Sequence, residues 1–286
     1  MISDITLGQF FPGFSPIHKL DPRTKIILAT AFIVAVFLAN NAAGFIFLTL
    51  CTLALMYLSR ISIKVMLRGI KPIVIILIFT AVLNVFLTTG TGEPLLDWWI
   101  FTVYTEGIVR AVFMAFRVII LILGTSVLLT YTTSPIALTD GIESLLSPLK
   151  KIKVPVHVFA MMMSIALRFI PTLIEETEKI MNAQKSRGAD FSSGSLVKRA
   201  KALIPILVPL FVSSFKRAEE LATAMECRCY RGDKNRTKLV KLTYRPRDFV
   251  FLALGALFIA ALVISRTLPY NFQSENIIFR ILFYRI

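Results

Sequence analysis

The sequence predicts an all-α membrane protein with about five transmembrane helices and a cytoplasmic region built on two long, bent, crossing helices. Three observations lead there. Hydrophobic residues make up 56% of the 286-residue chain, which holds 23 Phe and has a mean hydropathy of +0.74; such a composition suits lipid rather than a water-soluble core. Charge-free runs of spanning length recur along it. Its formal charge of +15 marks the segments between those runs as facing the cytoplasm, where basic loops are retained.

Taken in order, Ile26–Ser59 is free of charge and is broken by Asn40-Asn41 and Gly44, a turn signal, so it reads as a hairpin of two short spans. Pro72–Gly92 is the third span. Val118–Thr139 contains the fourth, extended back through Arg117, and Phe249–Ser265 is the fifth. Lys19, Arg23 and Lys25 precede the first span, Arg60, Lys64, Arg68 and Lys71 separate the second from the third, and Lys241, Arg245 and Arg247 precede the fifth. These segments are expected inside. The Asn40–Gly44 turn and the loop from Thr88 to Thr105 carry no Lys or Arg and are expected outside. The N-terminus is then cytoplasmic and the C-terminus external. Asp4 stands where a signal peptide would need basic residues, so the first span is expected to serve for targeting.

Between Ser134 and Arg247 lie two further apolar pieces, Val154–Leu167 and Ala202–Phe215. As helices each would rise only ~21 Å, short of the roughly 30 Å hydrocarbon core. If both spanned, Lys179, Lys185, Arg187, Lys198, Arg199 and Lys201 would lie outside, against the positive-inside rule. They read instead as the starts of longer helices running into the cytoplasm. One begins at Pro155, bends at Pro171 and continues to about Arg187; the other is capped by Ser195, bends at Pro205 and Pro209 and continues to about Cys229. The three expected regions are 1–133 with four spans, 134–247 as the cytoplasmic and interfacial region, and 248–286 with the last span and tail.

Each long helix runs out in an arginine placed between small residues: Ser186-Arg187-Gly188 on the first and Cys227-Arg228-Cys229 on the second. An arginine there complements the negative end of the helix dipole, or presents a planar five-donor fork to an acidic groove on another protein. Cys227 and Cys229 have no nearby His or further Cys to complete a zinc set. His18 and His157 stand alone in sequence, and Pro135–Leu149 with Lys150-Lys151-Ile152-Lys153 has the pattern of an amphipathic piece at a lipid interface.

Four motifs in order carry a family resemblance: Ser15-Pro16-Ile17-His18-Lys19-Leu20-Asp21-Pro22-Arg23-Thr24-Lys25, Leu167-Arg168-Phe169-Ile170-Pro171-Thr172-Leu173 followed by Glu175-Glu176, and the two arginine runs. From about Ser15 to Phe249 the chain resembles the transmembrane T component, EcfT, of energy-coupling factor (ECF) transporters. The resemblance implies a scaffold between two cytoplasmic ABC-type ATPases and a membrane-embedded S component that binds a vitamin or other micronutrient in a prokaryotic plasma membrane. It implies Ala-Arg-Gly signatures docking into the ATPases; here Ser186 replaces Ala, and Cys227 and Cys229 replace both small residues, so the second helix lacks a glycine to end it. Residues 134–247 become a coupling region. Met161, Met162, Met163, Leu203, Leu207 and Phe211 offer apolar surface for the S component, with packing between the two helices as the plainer reading of each.

Composition and motifs weigh against other classes. The basic charge has no nucleic-acid partner implied by it. A conventional ABC permease lining its own pathway would need polar residues inside the spans, where Asn84 is the nearest candidate, and a membrane prenyl-group transferase would need paired aspartates. No Gly-x-x-x-x-Gly-Lys-Ser/Thr run occurs, so no enzymatic activity and no cofactor are expected of this chain, ATP and Mg belonging to the partner ATPases.

Overall fold

The computed structural model describes residues 10–39, 42–88, 96–98, 101–189, 191, 195–232 and 242–267. Among these, nine α-helices form: α1 (Pro22–Leu38), α2 (Ala42–Ser59), α3 (Ile63–Ile70), α4 (Val74–Leu87), α5 (Thr105–Thr125), α6 (Pro135–Leu145), α7 (Val156–Ser186), α8 (Leu196–Cys227) and α9 (Pro246–Thr267). A three-residue strand β1 (Leu96–Trp98) pairs antiparallel with β2 (Phe101–Val103). The chain is an all-α membrane protein: Ile63–Leu87, Gly107–Thr130, Val156–Ser186 and Pro246–Ile264 are long and apolar enough to cross a bilayer, and Ala43–Ser59 is a shorter apolar helix. The Asn40-Asn41 turn, half of the Thr88–Thr105 loop and the tail beyond residue 267 lie outside the described residues.

The helices gather into two compact units, one holding α1 to α5 and α9, the other α7 and α8, with the division falling within α6. In the first, α1 packs against α5 and α9, and α4 against α5. Ala29, Phe32, Ala35, Val36, Leu48, Ile120, Leu128 and Leu262 form its core. Close approach is bought by glycine at Gly124, where a Cβ would drive into the Phe32 ring.

Local chemistry explains where α1 begins. The Asp21 carboxylate accepts from the Arg23 N–H at 2.9 Å and Pro22 supplies a first-turn φ, so the helix is capped by its own sequence. The preceding turn is tied down by Ile17 and Leu20, both buried against Met66, Val127 and Tyr131. Asp248, at the start of α9 and 1% exposed, accepts from the backbone N–H of Asp21 and of Arg245, each at 2.8 Å. Lys25 is equally buried and donates to the Thr132 carbonyl at 2.7 Å. That carbonyl is available because α5 widens into a π turn at Ser126–Thr130 and then unwinds.

Three expectations are corrected. The basic segment between the second and third spans is helical: α3 leads through a single 3-10 turn, Lys71–Ile73, into α4. The fourth span, expected over Val118–Thr139 and back through Arg117, begins at Thr105 and takes in Arg110 as well. Arg117 is accommodated because its Nη2 donates to the Ala39 carbonyl at 2.7 Å, satisfying an α1 end, while its guanidinium lies over the Phe45 ring. Third, Val154–Leu167 opens the longer helix expected from Pro155, but the apolar stretch does not end at Leu167. It belongs to an uninterrupted helix with one charge, Arg168, before Glu175, and meets the length and apolarity of a span.

Candidate functional site

The two arginine runs end helices of 31 and 32 residues, ~46 and ~48 Å long. Ser195 caps α8 as its sequence implies, accepting from the Lys198 N–H. Both helices continue through their internal prolines, Pro171 in α7 and Pro205 and Pro209 in α8.

The tips are built alike. At the first, Arg187 occupies the C-cap with φ −88° and ψ 8°, and Gly188 follows with φ 85°. The Gly188 N–H donates to the Lys185 carbonyl at 2.9 Å and the Ala189 N–H to the Gln184 carbonyl at 3.0 Å. At the second, Arg228 occupies the C-cap with φ −89° and ψ 16°, and Cys229 follows with φ 56°. The Cys229 N–H donates to the Glu226 carbonyl at 2.8 Å and the Tyr230 N–H to the Met225 carbonyl at 3.1 Å. Each set is a complete Schellman pair. The absence of glycine therefore does not blur the second end: the helix stops at the same place relative to its arginine, with Cys229 in a left-handed conformation that costs a non-glycine residue about 1–2 kcal/mol. The paired hydrogen bonds offset that cost at about 0.5–1.5 kcal/mol each.

Ser186, Arg187, Gly188, Cys227, Arg228 and Cys229 are all exposed. Each tip thus displays an arginine on a fixed turn between small residues. Dipole complementation operates at both, since the last carbonyls point at the same turn. Among the described residues no group of three or more His, Cys, Asp and Glu side chains converges as metal ligands do.

A clamp that sequence reasoning missed holds α7 to α8. The Glu176 carboxylate accepts from the Ser213 hydroxyl and, at 2.8 Å, from Arg217 Nη2. Ser213 and Arg217 stand four residues apart and so share a face of α8; that spacing was the available signal, but nothing local identifies a partner 37 or 41 residues away. Ile206 is buried, whereas Leu203, Leu207 and Phe211 are exposed. On the first helix Met162 and Met163 are exposed and Met161 is half-buried. Ile206 is thus packed away, while Leu203, Leu207, Phe211, Met162 and Met163 remain as surface. Val208, Phe211, Val212 and Phe215 line a shallow groove of about 600 Å³, edged by Lys216 and Glu219.

Both histidines that stand alone in sequence have structural partners. His157 Nδ1 lies 2.9 Å from the Glu143 carboxylate. His18 Nδ1 lies 2.6 Å from Ser15 Oγ and Nε2 2.9 Å from the Phe11 carbonyl. Burial pushes the His18 imidazole below its ordinary pKa, against the raising effect of the Phe11 carbonyl, and the nearby Lys25 charge lowers it further.

The chain matches the family CbiQ, described as cobalt transport protein, over residues 13–239. It is 53% identical to the energy-coupling factor transporter transmembrane protein EcfT of Clostridium kluyveri, over 93% of this chain and 98% of that one. Against the protein of the same name from Acidaminococcus fermentans the identity is 54%, over 91% and 96% of the two chains, and against that of Bacillus subtilis 50%, over 87% and 93%. The matched span takes in both exposed arginine tips and the clamp between their helices, and the chain belongs to the EcfT family, the membrane components of energy-coupling factor transporters.

Proposed function

We propose that this chain is the coupling subunit of an ECF-type importer, with one ATPase held at the Arg187 tip and a second at the Arg228 tip. The observation that carries the reading is the equivalence of the tips: two long helices with different local sequences end in one backbone geometry, each exposing an arginine at the same position. A guanidinium there can make charge-assisted hydrogen bonds to acidic groups in a groove, worth about 1.5–3 kcal/mol each. ATP and Mg are bound by the ATPases; this chain transmits their motion and carries out no chemistry. A membrane-embedded S component rests on the apolar surface of Met162, Met163, Leu203, Leu207 and Phe211, with Met161 beside it.

Nucleotide-driven approach of the ATPases would move the tips, and the Glu176 clamp would make α7 and α8 respond together. Work is transmitted only if the two helix arrangements favour different nucleotide states. In this reading residues 134–247 form the coupling region, 1–133 and 248–286 the membrane anchor, the N-terminus is cytoplasmic and the C-terminus external in a prokaryotic plasma membrane. Reporter fusions at the two termini test the orientation. Arg187→Ala and Arg228→Ala, singly and together, test the docking: ATPase co-purification and substrate uptake should both fall, and retention of both by the double variant sinks the reading.

A further inference from the structure

A second surface lies where α6 gives way to a 3-10 turn, Ser147–Ile152. Ile142 and Leu146 are four residues apart and share an edge of the α-helical part. In the tighter 3-10 helix, with about three residues per turn, positions i and i+3 eclipse. Leu146, Leu149 and Ile152 therefore continue the same edge. Had the α-helix run on, Ile152 would have rotated off that line, so the change of pitch is what aligns it. All four apolar side chains are exposed, Ile152 at 77%. Lys150 and Lys151 fall on the two edges flanking this ridge, and Lys153 follows at the C-cap with φ 63°. No acidic residue occurs from Ser144 to Pro155, and the nearest, Glu143, faces His157.

We infer that this ridge seats in an anionic phospholipid surface, the apolar side chains entering the acyl boundary and the lysines meeting headgroup phosphates. Chain connectivity supports this occupant: the segment follows Gly107–Thr130, which is long and apolar enough to cross a bilayer, so it begins close to the membrane face where that span ends. Charge supports it too, since an apolar ridge flanked by lysines, in a segment with no acidic residue from Ser144 to Pro155, matches an anionic leaflet and would repel a basic protein partner. The inference is independent of ATPase docking at the tips.

The full chain, reconstituted in nanodiscs of phosphatidylcholine alone or with about a quarter phosphatidylglycerol, is compared by amide hydrogen exchange across residues 147–153. Each lysine contributes roughly fivefold to association with an anionic surface. Exchange should be severalfold slower in the anionic discs, lose that difference in high salt, and lose it in the triple variant Lys150→Gln, Lys151→Gln, Lys153→Gln. Ile152→Ser should weaken protection in both lipids, with α5 protection reporting intact folding. Equal protection in the two lipids overturns the inference, as does full protection in the triple variant. Protection that arises only on adding the other transporter subunits overturns it in favour of a protein partner.

Discussion

The two tips differ where it should matter most and agree where it counts. After Arg187 stands Gly188, the residue best suited to a left-handed turn; after Arg228 stands Cys229, which holds φ 56° despite its side chain. The hydrogen-bond pattern is nevertheless the same at both. Helix termination is thus specified by the pair of bonds back to the last turn as well as by glycine, and the arginine keeps its position because the pattern does.

The largest test of this equivalence is the removal of the arginines. Arg187→Ala and Arg228→Ala should each weaken ATPase binding by about 1.5–3 kcal/mol, on the order of tenfold or more, and by similar factors if the tips are truly alike. Pull-down titrations with each ATPase read this directly; a tenfold disparity between the single variants would break the equivalence. Lysine should not restore either site, because a point ammonium lacks the planar fork.

Next in size is the clamp. Glu176→Ala leaves Ser213 and Arg217 without their acceptor and should loosen α7–α8 packing. Since the carboxylate joins both helices, thermal unfolding should fall and hydrogen exchange should quicken at both tips. An effect confined to one tip would show that the helices report independently.

Swapping the turn residue sharpens the comparison. A Cβ at Gly188 meets no atom within 4 Å, so Gly188→Ala should cost only its conformational penalty, about 1–2 kcal/mol. Cys229→Gly should relax the second tip by a similar amount. Exchange rates of the Ala189 and Tyr230 amides should move in opposite directions in the two variants.

The smallest effect belongs to the membrane unit and serves as its control. His18 has a folded pKa below its ordinary 6.5, so the folded state favours the neutral ring. The unfolded chain binds the extra proton first, hence stability is fully present above about 6.5 and declines as pH falls below it. Acidification should lower the unfolding temperature slightly, and His18→Asn should flatten that slope while leaving both tips unchanged. An unchanged slope would show that other groups carry it.

Much of this was legible without coordinates. Ser195 marked the start of α8 and the arginines the ends of α7 and α8, because capping is local chemistry. The charge-free run starts α5 too late, and only the structure shows how Arg117 is accommodated: the Ala39 carbonyl accepts a hydrogen bond from it across the bundle. The first basic loop misled for another reason, as α3 shows: lysine and arginine are good helix formers, and their charge says nothing against helix at a membrane edge.

By itself, then, the sequence determined the membrane class, the helical order, the long pair α7 and α8 and the placement of an arginine at each of their ends, all of which depend on composition, periodicity and neighbours within a turn. Only the tertiary structure decided that Glu176 meets Ser213 and Arg217, that Asp248 holds the start of α1, and that Cys229 can close a helix as glycine does. Those outcomes rest on groups far apart in sequence, or on a backbone strain that only the completed set of hydrogen bonds can offset.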